Sequence, residues 1–211
     1  MTLSRRDWLR KVAGLAVCTT GAAVGGTLLR RSAVTLGGPL HPALLRPPGA
    51  DAEAEFLAAC IRCGQCVEVC PTSVLKLAGP SAGLSSGTPY LIARETPCNL
   101  CEGEDDLRCI AVCPSKALHW QEGSEDQYLV EKLYDIDMGY AVLDTSICLA
   151  WNDQICRTCW HVCPFPDHAV ILDEMLRAVI VEENCIGCGL CDYACPTTPS
   201  SFRMIPKGMK V

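Results

Sequence analysis

The chain has 211 residues, of which 49% are hydrophobic and only 6% are aromatic, and its formal net charge is −6. This acidic balance excludes a conventional nucleic-acid-binding protein, because phosphate backbones are bound by clustered Lys and Arg side chains. Seventeen residues are cysteines, a proportion typical of chains that are held together by disulfides or metal centres.

Residues 1–31 differ in composition from the rest of the chain and predict an export signal. Six of the 18 basic residues lie here, and the uncharged stretch 12–29 follows the basic head. The pair Arg5-Arg6 in that head resembles a twin-arginine signal, which predicts export to the periplasm. Gly and Thr residues interrupt the apolar stretch, which spans a bilayer only marginally, so both cleavage and retention as an uncleaved anchor stay open. Cys18 within it is predicted to be a small apolar filler.

Residues 32–50 contain four Pro and three Gly and predict a linker. Residues 51–211 then predict the folded domain, which holds the other sixteen cysteines in four groups of four. Such an internal repeat organises the whole domain. In chain order the groups are Cys60, Cys63, Cys66 and Cys70; Cys98, Cys101, Cys109 and Cys113; Cys148, Cys156, Cys159 and Cys163; and Cys185, Cys188, Cys191 and Cys195.

Each group ends in the pattern C-x3-C-P, and the first and fourth have the full spacing C-x2-C-x2-C-x3-C-P. The second motif is lengthened in its middle and the third at its start, each to a gap of seven residues. The full spacing is the bacterial ferredoxin signature, in which three close cysteines bind one [4Fe–4S] cluster and the fourth binds the partner cluster. The sequence therefore predicts four [4Fe–4S] clusters with all sixteen cysteines as ligands.

Three other uses of the cysteines fit the spacing less well. Zinc sites usually show paired C-x2-C knuckles that lie well apart, and the regular repeat is not typical of a disulfide scaffold. Redox-active C-x2-C thiols need far fewer cysteines. An export route that carries folded proteins also suits clusters assembled in the cytoplasm. The chain has no nucleotide-binding, haem-attachment or nucleophile motif, which predicts an electron carrier and not an enzyme.

Short β-prone runs follow each C-P, at residues 74–77, 117–120, 169–172 and 202–205, and further strands are predicted at 128–133, 140–143 and 178–181. Short strands and single helical turns around paired motifs predict an α+β fold. The fold class expected is a duplicated bacterial-ferredoxin-like fold of the 2[4Fe–4S] type.

The motifs and their surroundings resemble the MauM/NapG-type periplasmic polyferredoxin family. The most discriminating shared feature is the third motif, with its gap of seven residues first. Other shared features are the twin-arginine head, the segment 46–50, Phe56-Leu57, residues 87–90 with Ala93-Arg94, and Met138-Gly139 with residues 141–143.

The resemblance implies a role in nitrate reduction or methylamine utilisation. The protein would accept electrons from a membrane-bound, quinol-oxidising iron–sulfur protein and pass them to a periplasmic cytochrome c or reductase. The alternative is an accessory redox protein for the maturation of a periplasmic enzyme such as methylamine dehydrogenase. In either role the protein is an electron carrier, and it can be a subunit of a quinol dehydrogenase module.

By analogy with four-cluster ferredoxin subunits, the outer motifs would pair with each other and the inner motifs with each other. Cys195 would then join the first three cysteines of the first motif, and Cys70 those of the fourth. Cys163 would join the second motif and Cys113 the third. Sequential pairing, of the first motif with the second and the third with the fourth, stays open.

Overall fold

The computed structural model describes residues 44–121 and 128–209. The predicted export signal, Cys18 and most of the predicted linker lie outside the described residues. Short helices and two-stranded antiparallel sheets alternate along the described chain. The helices are α1 (Glu53–Ala59), α2 (Gln65–Glu68), α3 (Arg108–Ala111), α4 (Leu129–Leu133), α5 (Thr158–Val162) and α6 (Leu190–Ala194). The strands are β1 (Lys76–Leu77), β2 (Pro89–Tyr90), β3 (Gly139–Leu143), β4 (Val170–Leu172), β5 (Ala178–Ile180) and β6 (Phe202–Pro206).

The strands pair as β1 with β2, β3 with β6, and β4 with β5. The longest pairing joins distant parts of the chain, with Gly139 opposite Pro206 and Leu143 opposite Phe202. Five of the seven predicted β-prone runs overlap one of these strands. The run 117–120 forms only an isolated bridge, between Leu118 and Ala50.

The predicted strand at 128–133 is wrong, because this segment forms helix α4. The Glu131 carboxylate accepts a hydrogen bond from the Tyr128 N–H at 3.4 Å, which satisfies a backbone donor of the first turn. Leu129 and Leu133 are four residues apart and share one face of the helix, and Leu133 packs against the core. The β-branched Val130, which favoured a strand, is 64% exposed.

The predicted linker needs correction over residues 44–50, which pack into the folded domain. Arg46 is only 5% exposed. Its guanidinium donates hydrogen bonds to the Glu53 carboxylate at 2.7 Å, to Thr88 Oγ1 at 2.9 Å and to the Pro89 carbonyl at 2.8 Å. It also lies 4.9 Å from the centre of the Phe56 ring. Because a buried charge is tolerated only when it is fully paired, this network fixes the segment as part of the fold.

Two groups of buried side chains form the core. The larger one contains Phe56 and Leu107, and it extends into the second half of the domain through Ile186 and Cys188. The smaller one surrounds Ala141 between the last strands and helices. Cysteines take part in both, so the core is built around the motifs. No helix in the described part of the chain has the length and apolar character that crossing a bilayer requires.

Candidate iron–sulfur sites

The loops of the motifs turn by means of left-handed backbone conformations. In the first motif Arg62 and Gly64 have φ values of 58° and 75°, and in the fourth Gly187 and Gly189 have 76° and 80°. Such turns aim successive backbone N–H groups into the concave side of the loop, where they favour an anion. Glycine adopts this conformation without steric cost, which explains its place beside the cysteines.

Two contacts between helices determine which motifs meet. Helix α2, inside the first motif, packs against α3 inside the second, and α5 of the third motif packs against α6 of the fourth. The last cysteine of each motif follows its helix within two residues. The last cysteine of one motif therefore faces the cysteine loop of the other motif of the pair.

Site 1 consists of the first three cysteines of the first motif and the last cysteine of the second. Burial, followed by the neighbouring thiols of Cys60, Cys63 and Cys113, raises the pKa of Cys66 to about 11. Because thiols influence one another in this way at short range and α2 packs on α3, the four side chains form one group.

Site 2 consists of the first three cysteines of the second motif and the last cysteine of the first. Burial raises the pKa of the Cys109 thiol, and the nearby thiols of Cys98, Cys101 and Cys70 act in the same direction. Cys98 likewise interacts with Cys101 and Cys70. Sites 1 and 2 thus exchange their fourth cysteines.

Site 3 is a small cavity lined by Cys148, Cys156, Cys159 and Cys195. The first three belong to the third motif and the last belongs to the fourth. Burial raises the pKa of Cys159 to about 12, with further contributions in that direction from Cys148 and Cys156.

Site 4 is a second small cavity, lined by Cys185, Cys188 and Cys191 of the fourth motif and by Cys163 of the third. Burial raises the pKa of Cys191 well above its usual range, and the neighbouring Cys188 and Cys185 add to this effect. Sites 3 and 4 therefore also exchange their fourth cysteines.

The outer-with-outer pairing expected by analogy is wrong, because the structure groups the motifs sequentially. Cys113, not Cys195, completes the group of the first motif, and Cys70 completes that of the second. The physical reason is the packing of α2 on α3 and of α5 on α6. All sixteen predicted ligands are brought into these four groups.

The four sites follow one another in the order 1–2–4–3, which differs from their order in the sequence. Cys66 of site 1 interacts with Cys109 of site 2, and Cys159 of site 3 interacts with Cys191 of site 4. Sites 2 and 4 meet where the Cys98 N–H donates a hydrogen bond to the Cys188 carbonyl at 3.0 Å, and their thiols also interact. Sites 1 and 3 are therefore the two ends of the series.

The residues of each site fit a cubane cluster. Burial raises the pKa of Cys98 and of Cys188 to about 12, so thiolates at these positions need a cationic partner such as iron. Backbone N–H groups donate hydrogen bonds to the cysteine sulfurs, as clusters in ferredoxins require. The Leu118 N–H donates to the Cys113 sulfur at 3.4 Å. The backbone N–H groups of Val67, Leu100, Trp160 and Leu190 act against the rise in the pKa of Cys66, Cys98, Cys159 and Cys188, respectively.

The arrangement disfavours zinc and disulfides. Within residues 44–121 and 128–209, no three Cys, His, Asp or Glu side chains are grouped tightly enough to hold a single metal ion. Four sulfurs around one zinc ion would lie about 3.8 Å apart, because zinc–sulfur bonds are about 2.3 Å long and tetrahedral. The sixteen cysteines of the motifs are all unpaired thiols, so among the described residues there is no disulfide scaffold.

Comparison with known proteins divides the chain in the same way as the sites do. Two family models match, each described as a 4Fe-4S dicluster domain, over residues 59–117 and residues 140–196. The first match contains the first and second motifs, and the second match contains the third and fourth. Each match therefore corresponds to one pair of sites.

Whole-chain relatives are ferredoxin-type proteins. The chain is 37% identical to the "Ferredoxin-type protein NapG" of Escherichia coli (strain K12), over 95% of this chain and 83% of that protein. It is 35% identical to the "Methylamine utilization ferredoxin-type protein MauM" of Methylobacillus flagellatus, over 90% and 78%. Against the MauM protein of Paracoccus denitrificans the identity is 32%, over 99% and 92%.

The chain belongs to the NapG and MauM ferredoxin-type family. It is an iron–sulfur electron-transfer ferredoxin whose clusters are of the [4Fe–4S] type. The resemblance that the sequence indicated is thereby confirmed.

The third motif of this NapG/MauM-type ferredoxin is lengthened by a structured loop. A 3-10 turn, Ala150–Asn152, occupies the gap between Cys148 and Cys156. The Trp151 indole N–H donates to the Ala178 carbonyl at 3.0 Å, which attaches the loop to β5. The lengthened loop is therefore folded, and it positions Cys156.

The corresponding loop of the second motif, residues 102–108, is acidic, and two of its carboxylates bind neighbouring residues. Glu104 forms an ion pair with Arg108. Asp106 accepts hydrogen bonds from the Trp120 indole N–H at 3.1 Å and from the Leu107 N–H at 2.8 Å. These contacts fold the loop against the domain beside site 2.

Arg94 holds the segment that carries the last cysteine of the fourth motif. Its guanidinium donates hydrogen bonds to the carbonyls of Asp192, Tyr193, Cys195 and Thr197. These carbonyls lie in the last turn of α6 or just beyond it, where few helical donors remain, so one side chain from the first half of the domain closes the helix. The sequence indicated Arg94 only through the family resemblance, because nothing in its local pattern shows which carbonyls it binds.

Cys195 differs electrostatically from the other cysteines whose pKa is shifted. Burial raises the pKa of its thiol, but hydrogen bonds from the hydroxyls and N–H groups of Thr197 and Ser201 outweigh that effect and lower the pKa to about 7. A sulfur surrounded by donors holds negative charge more readily. The pKa of Cys195 is thus lowered, whereas burial raises the pKa of Cys163, the fourth cysteine of site 4.

Proposed function

We propose that the protein carries four [4Fe–4S] clusters, one in each site, and relays electrons along the series 1–2–4–3. The observation that carries this proposal is the contact between sites 2 and 4 at Cys98 and Cys188, because it joins two dicluster units into one series. Each cluster, when bound, supplies a one-electron couple. On this view, the two units are a duplicated bacterial-ferredoxin-like fold preceded by an export signal.

The residues of the chain hold the clusters, set their surroundings and exclude water from the middle of the series. The cysteine sulfurs hold the iron, and the loop N–H groups stabilise the negative charge on those sulfurs. Cys98 and Cys188, at the middle of the series, are buried. Cys63 at the site 1 end is exposed, and Cys156 at the site 3 end is half-buried. The exposure of Cys63, and at the other end the 96% exposure of Ile155 beside Cys156, support exchange of electrons with partners there.

For the partners, we propose a membrane-bound, quinol-oxidising iron–sulfur protein as donor and a periplasmic cytochrome c or reductase as acceptor. Family membership supports redox partners in general. A second candidate function is an accessory redox role in the maturation of an enzyme of methylamine utilisation, which the names of the MauM relatives favour. In either role the chain transfers electrons and transforms no substrate.

The first test of the relay is the cluster content of the anaerobically purified full-length protein. We expect about sixteen iron atoms and about sixteen acid-labile sulfides per chain, since four cubanes contain four of each. Electron paramagnetic resonance should show no signal from the oxidised clusters and interacting spins after reduction with dithionite. About eight of each atom, or zinc in place of iron, would contradict the four-cluster proposal.

Export by the twin-arginine route is proposed from Arg5-Arg6, which lie outside the described residues. The variant Arg5→Lys with Arg6→Lys keeps the charge of the head but removes the paired guanidinium groups that the route recognises. We expect the cluster-loaded variant to accumulate in the cytoplasm, as measured by fractionation and immunoblotting. Arg30→Lys with Arg31→Lys is the matched control and should export normally. Normal export of the first variant would refute the proposed route.

A further inference from the structure

The last cysteine of the fourth motif makes a hydroxyl contact that is closer than its counterparts. In three motifs a Thr or Ser stands two residues after the last cysteine. In the first and second motifs this hydroxyl oxygen lies 3.8 Å from the sulfur. In the fourth, Thr197 Oγ1 lies 3.1 Å from Cys195 Sγ. The third motif has Phe165 at this position, so Cys163 has no such hydroxyl.

A buried network supports the contact at Cys195. Ser201 is only 2% exposed, and its hydroxyl oxygen lies 3.0 Å from Thr197 Oγ1. Arg94 binds the carbonyl of Thr197 at 3.0 Å and that of Cys195 at 2.9 Å. The donors are therefore held in place from both halves of the domain.

Site 4, the neighbour of site 3 in the series, has no hydroxyl two residues after its fourth cysteine, and carboxylates lie close to it in the sequence. Burial does not distinguish the two sites, because Cys188 and Cys191 of site 4 are buried and so are Cys148, Cys159 and Cys195 of site 3. The carboxylates of Glu182 and Glu183 lie in the 3-10 turn directly before Cys185, which adds negative charge on that side. Hydrogen bonds to the sulfurs raise the reduction potential of a cluster, whereas burial and nearby anions lower it.

We propose that Thr197 and Ser201 raise the reduction potential of site 3 above that of site 4, so that electrons leave the protein at the Cys156 end. This inference rests on the relay proposed above and gives it a direction. In the transfer one electron leaves site 4 and one arrives at site 3, no covalent bond forms or breaks, and no proton moves. The donor end is then site 1, where Cys63 is exposed.

The test is a potentiometric titration of the full, cluster-loaded protein, monitored by electron paramagnetic resonance. In Thr197→Val the hydroxyl is replaced by a methyl group of similar size. We expect one of the four midpoints to fall, so that at the wild-type midpoint the ratio of reduced to oxidised cluster is about tenfold lower. A tenfold change in a one-electron couple corresponds to about 59 mV. Ser201→Ala should move the same midpoint in the same direction.

Three further variants locate the effect and control for structural damage. Thr197→Ser keeps a hydroxyl and should leave the midpoint near its wild-type value. Thr72→Val removes the corresponding, more distant hydroxyl of the first motif and should shift no midpoint comparably. The signal that moves should be absent or converted in Cys156→Ser, which assigns it to site 3.

The outcomes separate this inference from the relay itself. A shift in Thr197→Val no larger than that in Thr72→Val would overturn the inference, as would a moving signal that Cys156→Ser leaves intact. A wild-type midpoint of site 3 below that of site 4 would overturn it as well. Four reversible midpoints would in each of these cases leave the relay standing, whereas clusters that cannot be reduced reversibly would overturn the relay.

Discussion

A protein in which Cys66 and Cys113 are both replaced by serine is expected to lose about four iron atoms, the same loss as from either single variant. Both cysteines belong to site 1, since the Cys113 thiol is a neighbour of Cys66. Once the loss of one ligand has removed a cluster, the loss of a second ligand of the same cluster causes little further loss of iron. Iron and acid-labile sulfide, measured after anaerobic purification, report the loss directly.

The matched control is Cys66→Ser with Cys195→Ser, which removes one ligand each from sites 1 and 3. This variant should lose about eight iron atoms, because two separate clusters are affected. Pairing of outer motifs would reverse the two results, since Cys66 and Cys195 would then share a cluster. The contrast between the two double variants therefore tests the pairing itself, provided that each single variant is first measured and loses about four iron atoms.

The sequence predicted which three cysteines lie in each loop, but it did not predict which motif supplies the fourth ligand of each site. Spacing within a motif determines that three cysteines share a loop and that the fourth lies beyond a helical turn. Which loop receives the fourth cysteine depends on the packing of α2 on α3 and of α5 on α6. These contacts are made by a few side chains on very short helices, too few to give a recognisable period.

Local patterns predicted the strands well where the strand packs against the core. The run 202–205 became β6, and 140–143 became β3, because their buried and half-buried residues face the smaller core. The strand predicted at 128–133 is wrong because the β-branched and aromatic residues there are exposed and contribute no packing. Propensity without burial is a weak indication of a strand.

Segment 44–50 shows a different limit of sequence reasoning. Pro47 and Pro48 are almost completely buried, although proline-rich segments are typical of linkers. The decisive interactions of Arg46 are with residues up to 43 positions away in the chain. No local pattern predicts that the Arg46 guanidinium is buried and binds residues so far away in the sequence.

The series 1–2–4–3 also depends on the tertiary structure. In the sequence the third motif precedes the fourth, yet site 4 is the one that contacts site 2. The loop of the fourth motif packs against the start of β3 at Gly187 and Gly139, where a Cβ added to Gly187 would lie only 2.8 Å from the Gly139 carbonyl oxygen. This close contact holds the loop that carries the cysteines of site 4 against the strand.

Gly139→Ala is consequently expected to destabilise the second half of the domain severely. Gly139 has a φ of 127°, and a Cβ there would stand 2.0 Å from the Ile205 carbonyl oxygen. Strand β6 cannot move away without breaking its pairing with β3. We expect the free energy of unfolding to fall by about 3 kcal/mol, from steric overlap and backbone strain together. Sites 3 and 4 should lose their iron first.

Gly208→Ala separates the two contributions, because Gly208 also has a positive φ, of 78°, but a Cβ there would meet nothing within 4 Å. This control should cost only about 1 kcal/mol, the price of the left-handed conformation alone. Iron content and the thermal loss of visible cluster absorbance compare the two variants. Equal losses would mean that strain alone acts at Gly139, and the close approach of β6 and the fourth motif would not be what holds the loop of site 4 against the strand.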